Sequence, residues 1–220
     1  MGALAIGASV CEASHSVETN SVRMSNAPDW VTQSRVQRVG DKIERVLEWP
    51  IRRINVYWHM DQAEFEKLHG YGPSVLAYAQ ATDNSVHLGP RVVDANFDAT
   101  FGHELVHVIV YQKYKTAIPK WLEEGLASYL SGEKRVDYKW LAAQPRIPVS
   151  QMTHPFKGLV ESQVHYQAST AVMEMIASKC ALPDLLQLSV GKSLTTYLDT
   201  FCGISNVDAA FDEYLKKKVR

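Results

Sequence analysis

Residues 101–112 read FGHELVHVIVYQ, from Phe101 to Gln112. Two histidines stand four residues apart, and a glutamate follows the first. On a helix, residues i and i+4 share a face, so His103 and His107 can both point at one ion. Neutral imidazole suits Zn²⁺. Glu104 is turned by about 100° from His103 around the helix. It therefore flanks the ion without ligating it, where a base for a zinc-activated water belongs. Leu105, Val108 and Ile109 form an apolar stripe that packs inward, while His103, His107, Tyr111 and Tyr114 share the other side. Gly102 leaves room for the close approach of a neighbouring segment. Taken alone, the stretch also fits two partly buried histidines satisfied by hydrogen bonds.

A two-histidine zinc site needs a third ligand and an open fourth position. The stretch PKWLEEGLASY, Pro119 to Tyr129, offers Glu123 and Glu124 on a separate helix; Glu124 follows His107 after 16 intervening residues. That length lets the first helix finish, turn at Lys115–Pro119 and return past the metal. Gly125, Ala127 and Ser128 are small and suit tight packing against the first helix. Periodicity does not choose between the two glutamates.

The totals narrow the function classes. The chain has 220 residues, 46% of them hydrophobic, and a formal net charge of −1. That is enough apolar material for one packed core. The near-neutral balance gives no electrostatic case for a nucleic-acid partner. The basic end YLKKKVR suits a helix C-terminus. None of the three cysteines, Cys11, Cys180 and Cys202, belongs to a C-x-x-C pair, which disfavours a thiolate zinc site. Cys180 and Cys202 are either reduced core residues or, in an exported protein, a disulfide. The apolar run Ala3–Val10 is too short to span a bilayer and resembles the end of a secretory signal without its basic start. Residues 1–27 are accordingly expected to be a leader or disordered; a leader implies an exported protein, secreted, periplasmic or on the surface, and its lack a cytoplasmic one. No later segment is a transmembrane candidate.

Residues 28–220 read as one domain, with a sheet-containing part over 28–114 and a helical part over 115–220. A helix follows Asp29 and ends at Pro50. IRRINVYWHM reads as a strand, and Asp61 and Gly70 open and close a short helix. SVLAYAQATDNSVHLG reads as a hairpin turning at Thr82–Asn84. The zinc helix begins near Asp98, and Pro119 and Gly132 bound the next helix. Residues 133–160, with Pro145, Pro148 and Pro155, read as an irregular crossing. From Glu161 the chain is helical. The order predicts an α+β fold: a small mixed sheet with helices, then an all-helical subdomain, with a cleft at the junction.

HELVH followed by WLEEGLASY resembles the gluzincin metallopeptidases, the clan of thermolysin and aminopeptidase N, whose second motif reads W-L-x-E-G-[FL]-A-x-Y. The resemblance covers roughly Ile51 to Lys179 and includes small bacterial members of the clan. It implies a zincin-like fold, one catalytic Zn²⁺ and a peptide or protein substrate. It aligns His103, His107 and Glu124 with the zinc ligands and Glu104 with the general base. Glu123 falls on the variable position before the ligand. The spacing between the motifs is a little shorter than in aminopeptidase N. No G-x-M-E-N-like stretch, which those exopeptidases use to hold a substrate's amino terminus, is present. An endopeptidase is therefore expected. The alternatives are a zincin-fold scaffold without catalysis and a zinc amidase acting on a non-protein, peptide-like substrate.

In related gluzincins a His or Tyr on a downstream helix stabilises the oxyanion. VHYQAST, Val164 to Thr170, supplies Tyr166 as the first candidate and His165 as the second. The substrate is expected to lie against an edge strand formed by Ser85, Val86, His87, Leu88 and Gly89, which leads toward the zinc helix. Tyr129 reads as structural, Ser128 as a possible support for a ligand, and His154 as a lone loop histidine.

Overall fold

The structure is a computed structural model, and it describes residues 14–133, 135–152, 159–188 and 193–220. Five strands form one mixed sheet: β1 (Ser14–Glu18), β2 (Val22–Pro28), β3 (Ile54–Trp58), β4 (Ala77–Gln80) and β5 (Ser85–Leu88). Their spatial order is β1-β2-β3-β5-β4. The β2–β3 and β3–β5 pairs are parallel, whereas β1–β2 and β4–β5 are antiparallel. Nine α-helices appear among the described residues. The first four are α1 (Gln33–Leu47), α2 (Gln62–His69), α3 (Phe97–Tyr114) and α4 (Lys120–Ser131). The others are α5 (Tyr138–Ala142), α6 (Leu159–Ala177), α7 (Leu182–Leu188), α8 (Leu194–Cys202) and α9 (Val207–Lys218). The predicted α+β class stands, with a small mixed sheet followed by helices.

The segment expected as a leader, 1–27, does not end where the fold begins. Residues 14–28 supply two strands, because Val17, Val22, Met24 and Ala27 are buried in the core. β2 pairs with β3 through Val22 opposite Ile54 and Met24 opposite Val56. Cys11 and the apolar run Ala3–Val10 lie outside the described residues, as do His154 and Pro155 of the predicted crossing. The described part of that crossing is not wholly irregular: α5 forms where the Asp137 side chain accepts from the Trp140 N–H.

Local chemistry sets the helix ends. Thr32 and Asp61 cap α1 and α2 by accepting from the N–H groups of Arg35 and Glu64. Gly70 and Gly132 close α2 and α4 in the left-handed region, at φ 69° and 73°, which glycine adopts without a Cβ clash.

Helix α3 runs through the centre, with Phe101, Leu105, Val108 and Ile109 fully buried. Both its ends are tethered. At the start, Phe97 packs against Trp30, Trp58 and Phe101, and Arg35 of α1 pairs with Asp94 and Asp98. Near the end, the buried Gln112 amide accepts from the Arg52 N–H at 2.9 Å and donates to the Arg52 carbonyl at 3.0 Å and to Asn84. These polar bonds lock α3 against the start of β3 and the β4–β5 turn. They hold its histidine face in one orientation.

A disulfide joins Cys180, just past α6, to Cys202 at the end of α8. Of the two readings left open for these cysteines, the structure adopts the oxidised one, which fits an oxidising compartment. No helix among the described residues is long and apolar enough to cross a membrane.

Candidate metal centre

His103 and His107 rise from successive turns of α3, with ring centroids 4.9 Å apart. Helix α4 packs along α3 and delivers Glu124 between them. Glu124 Oε2 lies 3.6 Å from His103 Nε2 and 3.7 Å from His107 Nε2. Among the described residues these three form the one group of His, Cys, Asp or Glu whose ligand atoms converge, all within 4.8 Å of one another. His103 and Glu124 are buried, and His107 is partly exposed.

The residues fit a metal ion. Ligands held at roughly 2.0–2.1 Å around a tetrahedral zinc stand about 3.3 Å apart. The two histidine-to-Glu124 separations, 3.6 and 3.7 Å, exceed that by only a few tenths of an ångström, and the three ligand atoms together lie within 4.8 Å, so side-chain adjustment rather than backbone movement closes the shell. Two imidazoles and one carboxylate are also the donor set of a zinc site that keeps a fourth position open.

The structure separates the two glutamates that periodicity left equivalent. Glu124 faces both histidines. Glu123, one step round α4, turns its Oε1 to His107 Nδ1 at 2.7 Å and is itself paired with Lys120 at 2.8 Å. Glu133 was not foreseen from the sequence. It follows the Gly132 turn at the end of α4, and its Oε2 reaches His103 Nδ1 at 2.9 Å. Each ring nitrogen that faces away from the Glu124 side thus meets a second carboxylate.

Burial and the neighbouring charges shift His103, His107, Glu123 and Glu104. Burial opposes charge on His103, but Glu124 and Glu133 outweigh it and hold the imidazolium well above its usual range. His107 is also raised: burial works against the charge, and Glu124 and Glu123 reverse it. Glu123 is lowered despite burial, because His107 and Lys120 stabilise its negative form. Glu104 goes the other way. Burial is the main cause, opposed by the two histidines and reinforced by Glu124 and Glu133. Its carboxylate is thereby made a better proton acceptor than an ordinary surface glutamate.

Tyr166 comes from α6, which packs against α4. Burial and then the charges of Glu124, Glu104 and Glu133 push its phenol up. The carboxylates of the centre are thus the charged neighbours of this hydroxyl. His165 is adjacent on α6 and partly buried; it is not a member of the converging ligand group. Tyr129 is exposed on α4, and Ser128 is buried there.

Two expectations are corrected. Ser85–Leu88 is not an edge strand. β5 is paired with β3 on one side and β4 on the other, so its backbone is already engaged. The free edge on that side of the sheet belongs to β4, Ala77–Gln80. The two-strand hairpin was readable from its turn residues, but the parallel pairing that buries β5 is long-range. Gly125 is also placed differently. A Cβ there would meet the Ser169 carbonyl oxygen at 2.5 Å, so the close approach it permits is between α4 and α6 rather than α4 and α3. Gly102 does admit neighbours: a Cβ would lie 3.3 Å from both Ser131 Cβ and Val39 Cγ1.

Comparison with models of protein families and with curated proteins gives no match to this chain. What fold and site define is therefore an α+β protein whose buried His103 and Glu124 and partly buried His107 are arranged so that they could take a metal ion.

Proposed function

We propose that the chain is a zinc-dependent metallopeptidase of the gluzincin type, acting as an endopeptidase. One observation carries this reading: His103 Nε2, His107 Nε2 and Glu124 Oε2 come together while Glu104, the residue between the histidines that ligation does not need, is partly buried beside them. A metal-binding protein without catalysis has no use for a fourth carboxylate of raised proton affinity at that position.

A zinc ion held by His103, His107 and Glu124 would supply Lewis acidity for the scissile carbonyl and for a water near neutral pH. The chain's own residues do the rest. Glu104 accepts the proton of the attacking water and returns it to the leaving amine, a role its raised affinity suits. Tyr166 donates its hydroxyl hydrogen to the developing oxyanion. Its raised pKa keeps that hydrogen in place across the working range. The substrate would lie extended along β4, the last strand of the sheet on that side, and add to it by β-augmentation. The absence of a G-x-M-E-N-like anchor for a terminal amine favours cleavage within a chain over trimming of its end.

Incubation of the purified protein with a mixed peptide library tests the reading. Internal cleavage that stops with a chelator and returns with added zinc is expected. Zinc uptake with no cleavage of any peptide would leave the chain a metal-binding protein and defeat the proposal.

A further inference from the structure

The three converging ligand atoms include the Nε2 nitrogens of both histidines. The opposite nitrogens, Nδ1, each meet a carboxylate that is not a ligand. His107 Nδ1 is hydrogen-bonded to Glu123 Oε1 at 2.7 Å, whereas His103 Nδ1 is 2.9 Å from Glu133 Oε2, an ion-pair contact that is not aligned as a hydrogen bond. A neutral imidazole carries one N–H. When that hydrogen sits on Nδ1 and points at a carboxylate, the lone pair is left on Nε2, where a metal can use it.

We propose that Glu123 and Glu133 are positioning residues that fix the tautomer and ring orientation of His107 and His103 for the metal. The proposal rests on the metallopeptidase reading of the same site and assigns two residues which that reading leaves without a role. The supports differ. Glu123 is held within α4 by Lys120, one turn earlier, whose Nζ lies 2.9 Å from its Oε1 and 2.8 Å from its Oε2. Glu133 is held through the last residue of α4, which is itself tied to another helix. Its N–H donates to Ser131 Oγ at 3.2 Å, and the Ser131 carbonyl accepts from Lys42 Nζ of α1 at 3.1 Å. Gly132, left-handed at φ 73°, makes the turn between them. Helix α1 thus takes part in aiming the His103 ring, although it contributes no ligand.

Outer carboxylates of this kind typically change metal affinity 10- to 100-fold when removed. A ligand and a positioning residue also answer differently to amide substitution. An amide oxygen still accepts from Nδ1–H, but it lacks the charge with which a carboxylate binds zinc.

The test is a Zn²⁺ titration of the full chain against a competing chelator, with thermal unfolding followed in parallel. Glu123→Ala and Glu133→Ala should each bind zinc about 10- to 100-fold more weakly. Glu123→Gln and Glu133→Gln should recover most of that loss, whereas Glu124→Gln should stay as weak as Glu124→Ala. Lys42→Met, a surface change that leaves the core intact, should show part of the Glu133→Ala loss, and it keeps the proposal open to refutation even if an alanine variant fails to fold. Wild-type affinity in both alanine variants, or glutamine variants as weak as the alanine ones, would overturn the inference while leaving the metal site standing. A wild-type chain that takes up no zinc would instead overturn the metallopeptidase reading, and the inference with it.

Discussion

Gly125→Ala perturbs the contact on which the α4–α6 side of the centre depends. The added Cβ would lie 2.5 Å from the Ser169 carbonyl oxygen and 3.1 Å from Met173 Cβ. A close carbon–oxygen contact is about 3.3 Å, so the backbones must separate by roughly 0.8 Å. The obstacle is backbone rather than a rotatable side-chain tip, and its neighbours Ala168, Ser169, Val172 and Met173 are all buried. Relief by a rotamer change is thus closed off, and α6 must shift as a unit. Overpacking of this kind costs about 1–3 kcal/mol, and the backbone clash puts this site at the upper end. Urea denaturation followed by circular dichroism should show a loss of about 2–3 kcal/mol with an unchanged slope. Tyr166 rides on α6 while the ligands ride on α3 and α4, so zinc affinity should fall less than peptide turnover. A variant within 0.5 kcal/mol of wild type, cleaving at the wild-type rate, would refute the argument that Gly125 sets the α4–α6 distance.

Further outcomes are expected elsewhere in the molecule. Replacing both Cys180 and Cys202 by serine opens a crosslink with a sequence separation of 22 and should lower stability by about 3 kcal/mol; equal denaturation midpoints with and without reductant would show that the bond contributes nothing. On the sheet face opposite α3, His87 stacks on Tyr78 and meets His59 Nε2 at 2.9 Å. Burial and then the His59 neighbour, against a weaker pull from Asp83, take His87 down to about 4, and burial lowers His59. Because folding depresses these pKa values, the stabilisation is full above about pH 6.5 and is lost as the pH falls through the folded values. Unfolding free energy should therefore drop between pH 6.5 and 4, and His87→Phe should flatten that drop by on the order of 1–2 kcal/mol; an unchanged slope would show that this histidine pair does not titrate in the range. Gln112→Ala should cost about 1–3 kcal/mol by stripping Arg52 and Asn84 of buried bonds, measured by the same denaturation.

Much of the centre was legible because its signals are local. The His103–His107 spacing, the Asp61 cap and the glycine stops at Gly70 and Gly132 each depend on a few adjacent residues, and the structure places them as read. What escaped depends on distant partners. β1 and β2 were hidden because SHSVE and VRMSNAP are short and rich in small polar residues. Only pairing with β3 makes Val22 and Met24 core positions. β5 reads as an edge from sequence because a hairpin reveals its own two strands and not the third that joins them. Periodicity leaves Glu123 and Glu124 equal, and only the resemblance selects Glu124, because a step of about 100° along one helix has no preferred direction until the facing helix is known. Glu133 left no signal at all: it lies past the helix stop, in a stretch that reads as solvated loop. The Gly125 contact was placed on the wrong helix for the same reason, since small residues announce a close neighbour without saying which.

The most direct test compares wild type with Glu104→Gln, measuring zinc content and peptide cleavage on the same samples. One zinc per chain is expected in both proteins, with cleavage confined to the wild type. Zinc in both and undiminished cleavage by Glu104→Gln would contradict the assignment of Glu104 as the base, and with it the mechanism built around His103, His107 and Glu124.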